Sequence, residues 1–176
     1  MPHVLNPQVK NSSQAGGLQR VVERLSTTLK RDQLVQTTVD RLKTFYRADR
    51  VVLYYFYRQW EGQVTFESLS APELSIYGST GADECFNDEY AELYLQGRIR
   101  AIDDIEQAGI HPCHLDFLRS LQVKANLAAP ILVDKGLWGL LIAHHCRSPR
   151  HWTAADLDAI RQAAHQLAQS PAVRDG

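Results

Sequence analysis

The most reactive chemistry in the chain sits in the stretch GIHPCHLDFLRSL, Gly109 to Leu121, where Cys113 is followed directly by His114. A thiol becomes a nucleophile as its thiolate, and both a helix N-terminus and a neighbouring imidazolium lower a thiol pKa. Pro112 ahead of an amphipathic run predicts a helix that starts there, which puts Cys113 in the first turn and His111 two residues before it. On spacing alone, a small buried hydrophobe beside a satisfied histidine is the commoner outcome for such a pair. A c-type haem site needs Cys-x-x-Cys-His, which the chain lacks. A zinc site drawn from Cys85, Cys113, His111 and His114 would have no Cys-x-x-Cys or His-x-x-x-His pair to build on. The three cysteines, Cys85, Cys113 and Cys146, are an odd number, which argues for reduced thiols over a disulfide scaffold.

A second group with chemical potential is Arg98 and Arg100 in the segment RIRAI. Two residues apart on a short strand, they would point to one face and suit carboxylates, although a solvated surface pair is the commoner case. Composition narrows the partners. With 176 residues, 19 Lys+Arg against 20 Asp+Glu and a formal net charge of −1, the chain has the size of one domain and no basic stripe, so nucleic acid is not expected. No apolar run approaches the roughly 20 residues of a membrane span, and the first residues lack the apolar core of a signal peptide, so no membrane contact and a cytoplasmic location are expected.

The elements that must position these residues follow from periodicity. Residues 1–16 are polar and rich in Asn, Ser, Gln, Gly and Pro, which predicts a flexible lead-in. Leu18, Val21, Val22, Leu25 and Leu29, then Leu34, Val35, Val39, Leu42 and Phe45, follow helical spacing with a candidate break near Asp32. Arg50 to Tyr57 and Gln63 to Leu69 predict a hairpin, and residues 71–87 a long irregular segment of the kind that often carries function. Asn87 to Gly97 predicts a short capped helix with a glycine stop. Ala125 to Val133 and Leu137 to Cys146 predict a second hairpin around Asp134-Lys135-Gly136. Thr153, with Asp156 at the capping-box offset, opens an amphipathic last helix. Strands bracketed by helices, with antiparallel pairs joined by tight turns, predict an α+β fold with one central antiparallel sheet flanked by helices.

Cys85 lies 28 residues before Cys113, and the words around both are informative. Asp83-Glu84-Cys85-Phe86 resembles the Asp-x-Cys-Phe motif of one dual-cysteine branch of the cyanobacteriochromes, members of the phytochrome superfamily. Cys113-His114 resembles the Cys-His that anchors a bilin in their GAF domains, and LAAPILVDKGLWGLLIAHHC resembles the core strands of that family. The resemblance runs from about Leu18 to Gln169 and implies a bilin-binding GAF domain over 17–170, with a tail at 171–176.

The resemblance implies a light sensor carrying a covalent linear tetrapyrrole, phycocyanobilin or its isomer phycoviolobilin, attached autocatalytically to Cys113. His114 would pack against the bilin near its pyrrole nitrogens. Cys85 would add reversibly to the central C10 bridge, giving a violet- or blue-absorbing dark state that photoconverts, by isomerisation between rings C and D, to one absorbing green, teal or orange. Asp83 would hold the pyrrole N–H groups or polarise the region where Cys85 attacks. Arg98, with Arg100 as a second clamp, would hold propionates, and His144 would reach the ring D carbonyl. Phe86 and Tyr90 are carried over as pocket residues, Tyr94 could join them, Trp138 is assigned to the core, and Cys146 matches no attachment position. Glu84 departs from the small or Pro residue common there, and its carboxylate would raise the Cys85 thiol pKa. Other members of the GAF class suggest two alternatives, a free methionine sulfoxide reductase using these cysteines and a non-covalent cyclic-nucleotide module. The resemblance also implies an output domain of histidine kinase, cyclase or chemotaxis type in a parent protein, with the first and last helices as candidate homodimer faces.

Overall fold

The computed structural model describes residues 7–81 and 86–176, with side chains from residue 16 onward. Two helices lead the chain: α1 (Pro7–Arg31) and α2 (Gln33–Tyr46). Asp32 divides them as the sequence suggests, because its side chain accepts the Val35 N–H at 3.1 Å and caps α2. Helix α1 begins well before Leu18, so residues 7–16, expected as a lead-in, are helical; a proline is tolerated at such a first helical position. The strands β1 (Arg50–Arg58) and β2 (Glu61–Leu69) form the first hairpin, followed by a 3-10 turn at Pro72–Leu74. Then come α3 (Asp88–Leu95), β3 (Arg100–Ile102), α4 (Pro112–Ser120), β4 (Ala125–Val133) and β5 (Gly136–His145). The chain closes with α5 (Ala154–Gln169) and α6 (Pro171–Arg174). Residues 171–176, expected as a tail, include the buried Ala172 and Val173, which complete the helical side of the core.

The five strands form one sheet in the order β2-β1-β5-β4-β3, with every neighbouring pair antiparallel. Because side chains alternate across a strand, the register sorts the sheet into two faces. Val51 and Leu53 of β1, Leu127, Ala129 and Ile131 of β4, and Leu141 and Ala143 of β5 share one face. They pack with Leu29, Val35, Val39, Leu42, Ile160 and Leu167 of α1, α2 and α5 into the main core. Val52, Tyr54 and Phe56 of β1, Asn126 and Ala128 of β4, and Leu140, Ile142 and His144 of β5 face the other way, toward α3, α4 and the segment after β2. Trp138 belongs to the main core as expected, with its indole N–H buried and without a hydrogen-bond partner among the described residues.

Two local devices fix this arrangement. Thr153 and Asp156 form the anticipated capping box, and the Asp156 carboxylate also accepts two hydrogen bonds, of 3.1 and 3.2 Å, from Arg150. The Arg150 guanidinium lies over the Tyr46 and Trp152 rings, and the Tyr46 hydroxyl donates to the Asp156 carbonyl at 2.6 Å, so α2, α5 and the end of β5 are locked together. Gly139 lets β5 approach β1: a Cβ there would sit 2.1 Å from the Tyr54 carbonyl oxygen. The β4–β5 turn is shorter than the three residues expected, since Asp134-Lys135 makes it and Gly136, at φ +120°, already opens β5.

Candidate functional site

The face of the sheet turned away from the main core forms the floor of a cleft of about 1040 Å3, counted with its open mouth. Val52, Tyr54 and Phe56 of β1, Leu140, Ile142 and His144 of β5, and Asn126 and Ala128 of β4 make this floor. Their shared face is why the RVVLYYFY segment alternates its pocket residues. Helix α4 covers it with His114, Phe117 and Leu118, and α3 with Tyr90 and Tyr94. The size and mostly apolar lining are those of a site for a large organic ligand.

One wall is aromatic. The Phe86 ring stacks on Tyr94 with centroids 5.9 Å apart and an interplanar angle of 13°, and on Tyr90 at 6.2 Å. Its other neighbours are Phe56 at 5.1 Å and Trp60 at 6.2 Å. The Trp60 indole N–H donates to Asp88 Oδ1 at 2.7 Å, which ties the β1–β2 turn to the first turn of α3. Phe86 and Tyr90 thus stand in the pocket together, and Tyr94 is the best buried of the three; burial pushes its phenol up to about 12, against the pull of Arg98 and Arg100. The Tyr54 hydroxyl accepts the Gly81 N–H at 2.7 Å, anchoring the segment that leads to residue 82. Tyr54, Phe56 and Trp60 are site residues whose local sequence reads only as strand and turn; the period of two from Val52 is the signal that could have found the first two.

Arg98 and Arg100 both reach the cleft. Only Arg100 is on β3, paired opposite Ala128, whereas Arg98 lies in the connection after Gly97, whose φ of +91° ends α3. The expectation that one strand carries both is therefore corrected: a left-handed glycine and a turn bring Arg98 to the pocket. Neither guanidinium makes a hydrogen bond or ion pair within the described residues.

His114 occupies the third position of α4 with its ring in the pocket wall. Burial, and after it the charge of Arg100, hold its pKa below the ordinary imidazole value, so it is neutral at neutral pH. It is therefore not the imidazolium that would activate Cys113. His111 serves the helix instead, as the N-cap whose Nδ1 accepts the Cys113 N–H at 3.2 Å. Cys113 is half-buried at the second position of α4, beside the pocket wall and not in it. Its sulfur is held in a disulfide, contrary to the expectation of reduced thiols, and reduction must precede any addition to a ligand. Among the described residues Cys146 is the free cysteine, half-buried, with its thiol pushed up by burial. Asp83, Glu84 and Cys85 lie outside the described residues.

His144 is 3% exposed and forms part of the pocket floor, so it is not the solvent-facing strand-end residue that its position in LIAHHC also allows. Its Nδ1 accepts a hydrogen bond from Arg50 Nε at 2.9 Å. Burial, then the charge of Arg50, hold the ring far toward its neutral form. Among the described residues no cluster of three His, Cys, Asp or Glu side chains could hold a metal ion, and no helix is long and apolar enough to cross a membrane.

The GAF domain family model matches residues 30–170 of this chain. An uncharacterized protein of Picosynechococcus sp. is 58% identical over 151 residues, covering 86% of this chain and 93% of that protein. A putative methyl-accepting chemotaxis protein of Synechocystis sp. is 36% identical over 94% of this chain, which spans 16% of its length. Among solved structures, the blue-light absorbing form of the Thermosynechococcus elongatus PixJ GAF domain is 37% identical with a TM-score of 0.69, over 74% of this chain and 78% of that one. A far-red absorbing dark state with bound biliverdin is 25% identical with a TM-score of 0.72, over 88% and 97%.

Proposed function

We infer that this chain, which belongs to the GAF domain family, is a photosensory domain whose cleft holds a linear tetrapyrrole. The observation that carries this reading is that Arg98 and Arg100, at the edge of an aromatic cleft, have no hydrogen-bond or ion-pair partner among the described residues. An extended conjugated ligand with two carboxylates would satisfy both the rings and the cations. Its likeness to the PixJ GAF domain and to a biliverdin-bound domain supports the same ligand class.

In this reading Arg98 and Arg100 hold the two propionates of phycocyanobilin or phycoviolobilin, and the Phe86, Tyr90 and Tyr94 rings pack against its conjugated plane. His114, kept neutral, lies against the pyrroles, and His144 offers its ring N–H to the ring D carbonyl. Once reduced, the Cys113 thiol adds across the ring A ethylidene: a C–S bond forms, the thiol proton passes to the neighbouring carbon, and no oxidant is consumed. When bound, the tetrapyrrole supplies a light-driven Z/E isomerisation at its C15 bridge. The Asp-x-Cys-Phe words at Asp83 to Phe86 support a second, reversible thioether from Cys85 to C10, with Asp83 at the attacked region, and hence a violet- or blue-absorbing dark state. A chemotaxis-type or kinase output in a longer parent protein fits the relatives that are themselves much longer than this chain.

The test is an absorption spectrum of the domain produced with phycocyanobilin under reducing conditions, before and after blue light, with Cys113→Ala and Cys85→Ala alongside. A short-wavelength band that shifts reversibly redward is expected. Cys113→Ala should lose acid-stable attachment, and Cys85→Ala should show the longer-wavelength band in the dark. A wild-type protein that takes up no pigment would overturn the reading.

A further inference from the structure

Arg50 opens β1, paired directly with His144 of β5, and only 1% of it is exposed. Buried arginines are ordinarily neutralised by a carboxylate. Arg50 has no such ion pair among the described residues, and all of its hydrogen bonds go to neutral acceptors. Nε donates to His144 Nδ1 at 2.9 Å, Nη1 to the Leu74 carbonyl at 2.9 Å, and Nη2 to the Leu121 carbonyl.

A guanidinium has only donors and does not give up its proton in proteins. The nitrogen it meets must therefore present a lone pair, which leaves Nδ1 of His144 bare. A neutral imidazole carries its single hydrogen on the other nitrogen, so the proton is on Nε2. Doubly protonated His144 would set an N–H against an N–H at 2.9 Å and a cation against a cation, both inside the protein.

We propose that Arg50 is a positioning residue for His144, fixing it as the Nε2–H tautomer so that the cleft is offered a hydrogen-bond donor at this end and neither an acceptor nor a cation. This rests on the tetrapyrrole reading for its use, since the group suited to such a donor is a lactam carbonyl of the ligand. The tautomer itself belongs to the protein alone. By holding Leu74 and Leu121 as well, Arg50 sets the imidazole against two segments that border the cleft, the 3-10 turn after β2 and the end of α4.

The experiment is 15N–1H NMR of the ligand-free, histidine-labelled chain at neutral pH, with the His144 signals assigned by their loss in His144→Gln. Wild-type protein is expected to show a pyridine-type Nδ1 and a pyrrole-type Nε2 with a protected proton, as the sole species. In Arg50→Met that single signature should give way to a mixture of tautomers, and Arg50→Lys, which keeps a donor, should restore part of it. A wild-type His144 protonated on Nδ1 or on both nitrogens overturns the proposal without recourse to any variant, as does a folded Arg50→Met that keeps the sole Nε2–H form. Because the sample holds no pigment, failure of tetrapyrrole binding and failure of this assignment are read separately.

Discussion

Replacing Arg98 and Arg100 by Gln, singly and together, probes the cleft most directly, because among the described residues neither guanidinium has a hydrogen-bond or ion-pair partner whose loss would confuse the result. A hydrogen bond to a charged group contributes about 1.5–3 kcal/mol. Both arginines are half-exposed, so water screens them and the lower end applies: about 1.5 kcal/mol each, or roughly tenfold in Kd. Arg100 is fixed on β3 while Arg98 comes from the preceding turn. If they hold two separate carboxylates their losses should add, and the double variant should bind about a hundredfold more weakly. If both clamp one carboxylate the double loss falls clearly short of that sum. The assay is a fluorescence titration with phycocyanobilin in a Cys85→Ser, Cys113→Ser background, where association is reversible, at two salt concentrations. Both single variants binding within about twofold of the parent would refute the carboxylate-clamp argument, because a tenfold effect is the minimum its energetics allow. The ligand-free protein gives an independent check: His114 should titrate higher in Arg100→Gln than in wild type, though still below an ordinary histidine, because burial is the larger cause of its depression.

Three further outcomes follow from the fold. Asp156→Ala leaves the poorly exposed Arg150 without its carboxylate and removes half of the α5 capping box, so urea unfolding should report a loss of about 3–5 kcal/mol; a loss under about 1 kcal/mol would mean that the pair is solvated. Gly139→Ala drives a Cβ into the Tyr54 carbonyl and should destabilise by about 1–3 kcal/mol or more, detected as a lowered Tm, while a neutral change would show that β1 and β5 can separate. The ligand-free protein should lose stability on acidification through the unfolded histidine pKa of about 6.5, because the depressed pKa of His144 makes the unfolded state bind the proton first. The slope from His144 is at most about 1.4 kcal/mol per pH unit, and His114 adds in the same direction; denaturant midpoints that stay flat from neutral pH down to the range where carboxylates titrate would contradict the burial of these rings.

Much of this architecture was legible because the signals are local. Asp32 and Thr153 cap helices through bonds spanning three residues, and the alternation in β1 and the turn at Asp134-Lys135 are read within a few positions. Cys113 at the start of α4 and Phe86 with Tyr90 in one wall were reachable in the same way, through words that span a few residues. What escaped is non-local. Arg98 reaches the cleft through a turn and not through strand alternation, and Trp60 becomes a wall residue only by bonding Asp88, 28 positions on. His114 reads as an activating cation beside a thiol until α4 is packed on the sheet, after which burial and Arg100 leave it neutral.

Arg50 is the sharpest case. In the sequence it is only the first residue of a predicted strand, and an arginine is ordinarily a solvated charge. Its three acceptors lie 24, 71 and 94 residues away, in the turn after β2, at the end of α4 and in β5. No window of sequence contains them, yet together they turn a surface residue into a buried cation facing a histidine lone pair. His144 carries the complementary lesson: its resemblance to a ligand-directed histidine is visible in LIAHHC, but whether it donates or accepts is decided by the residue behind it. The part of a pocket that touches a ligand can be written in short words, whereas the protonation states that make those words useful are set by groups that meet only when the sheet closes.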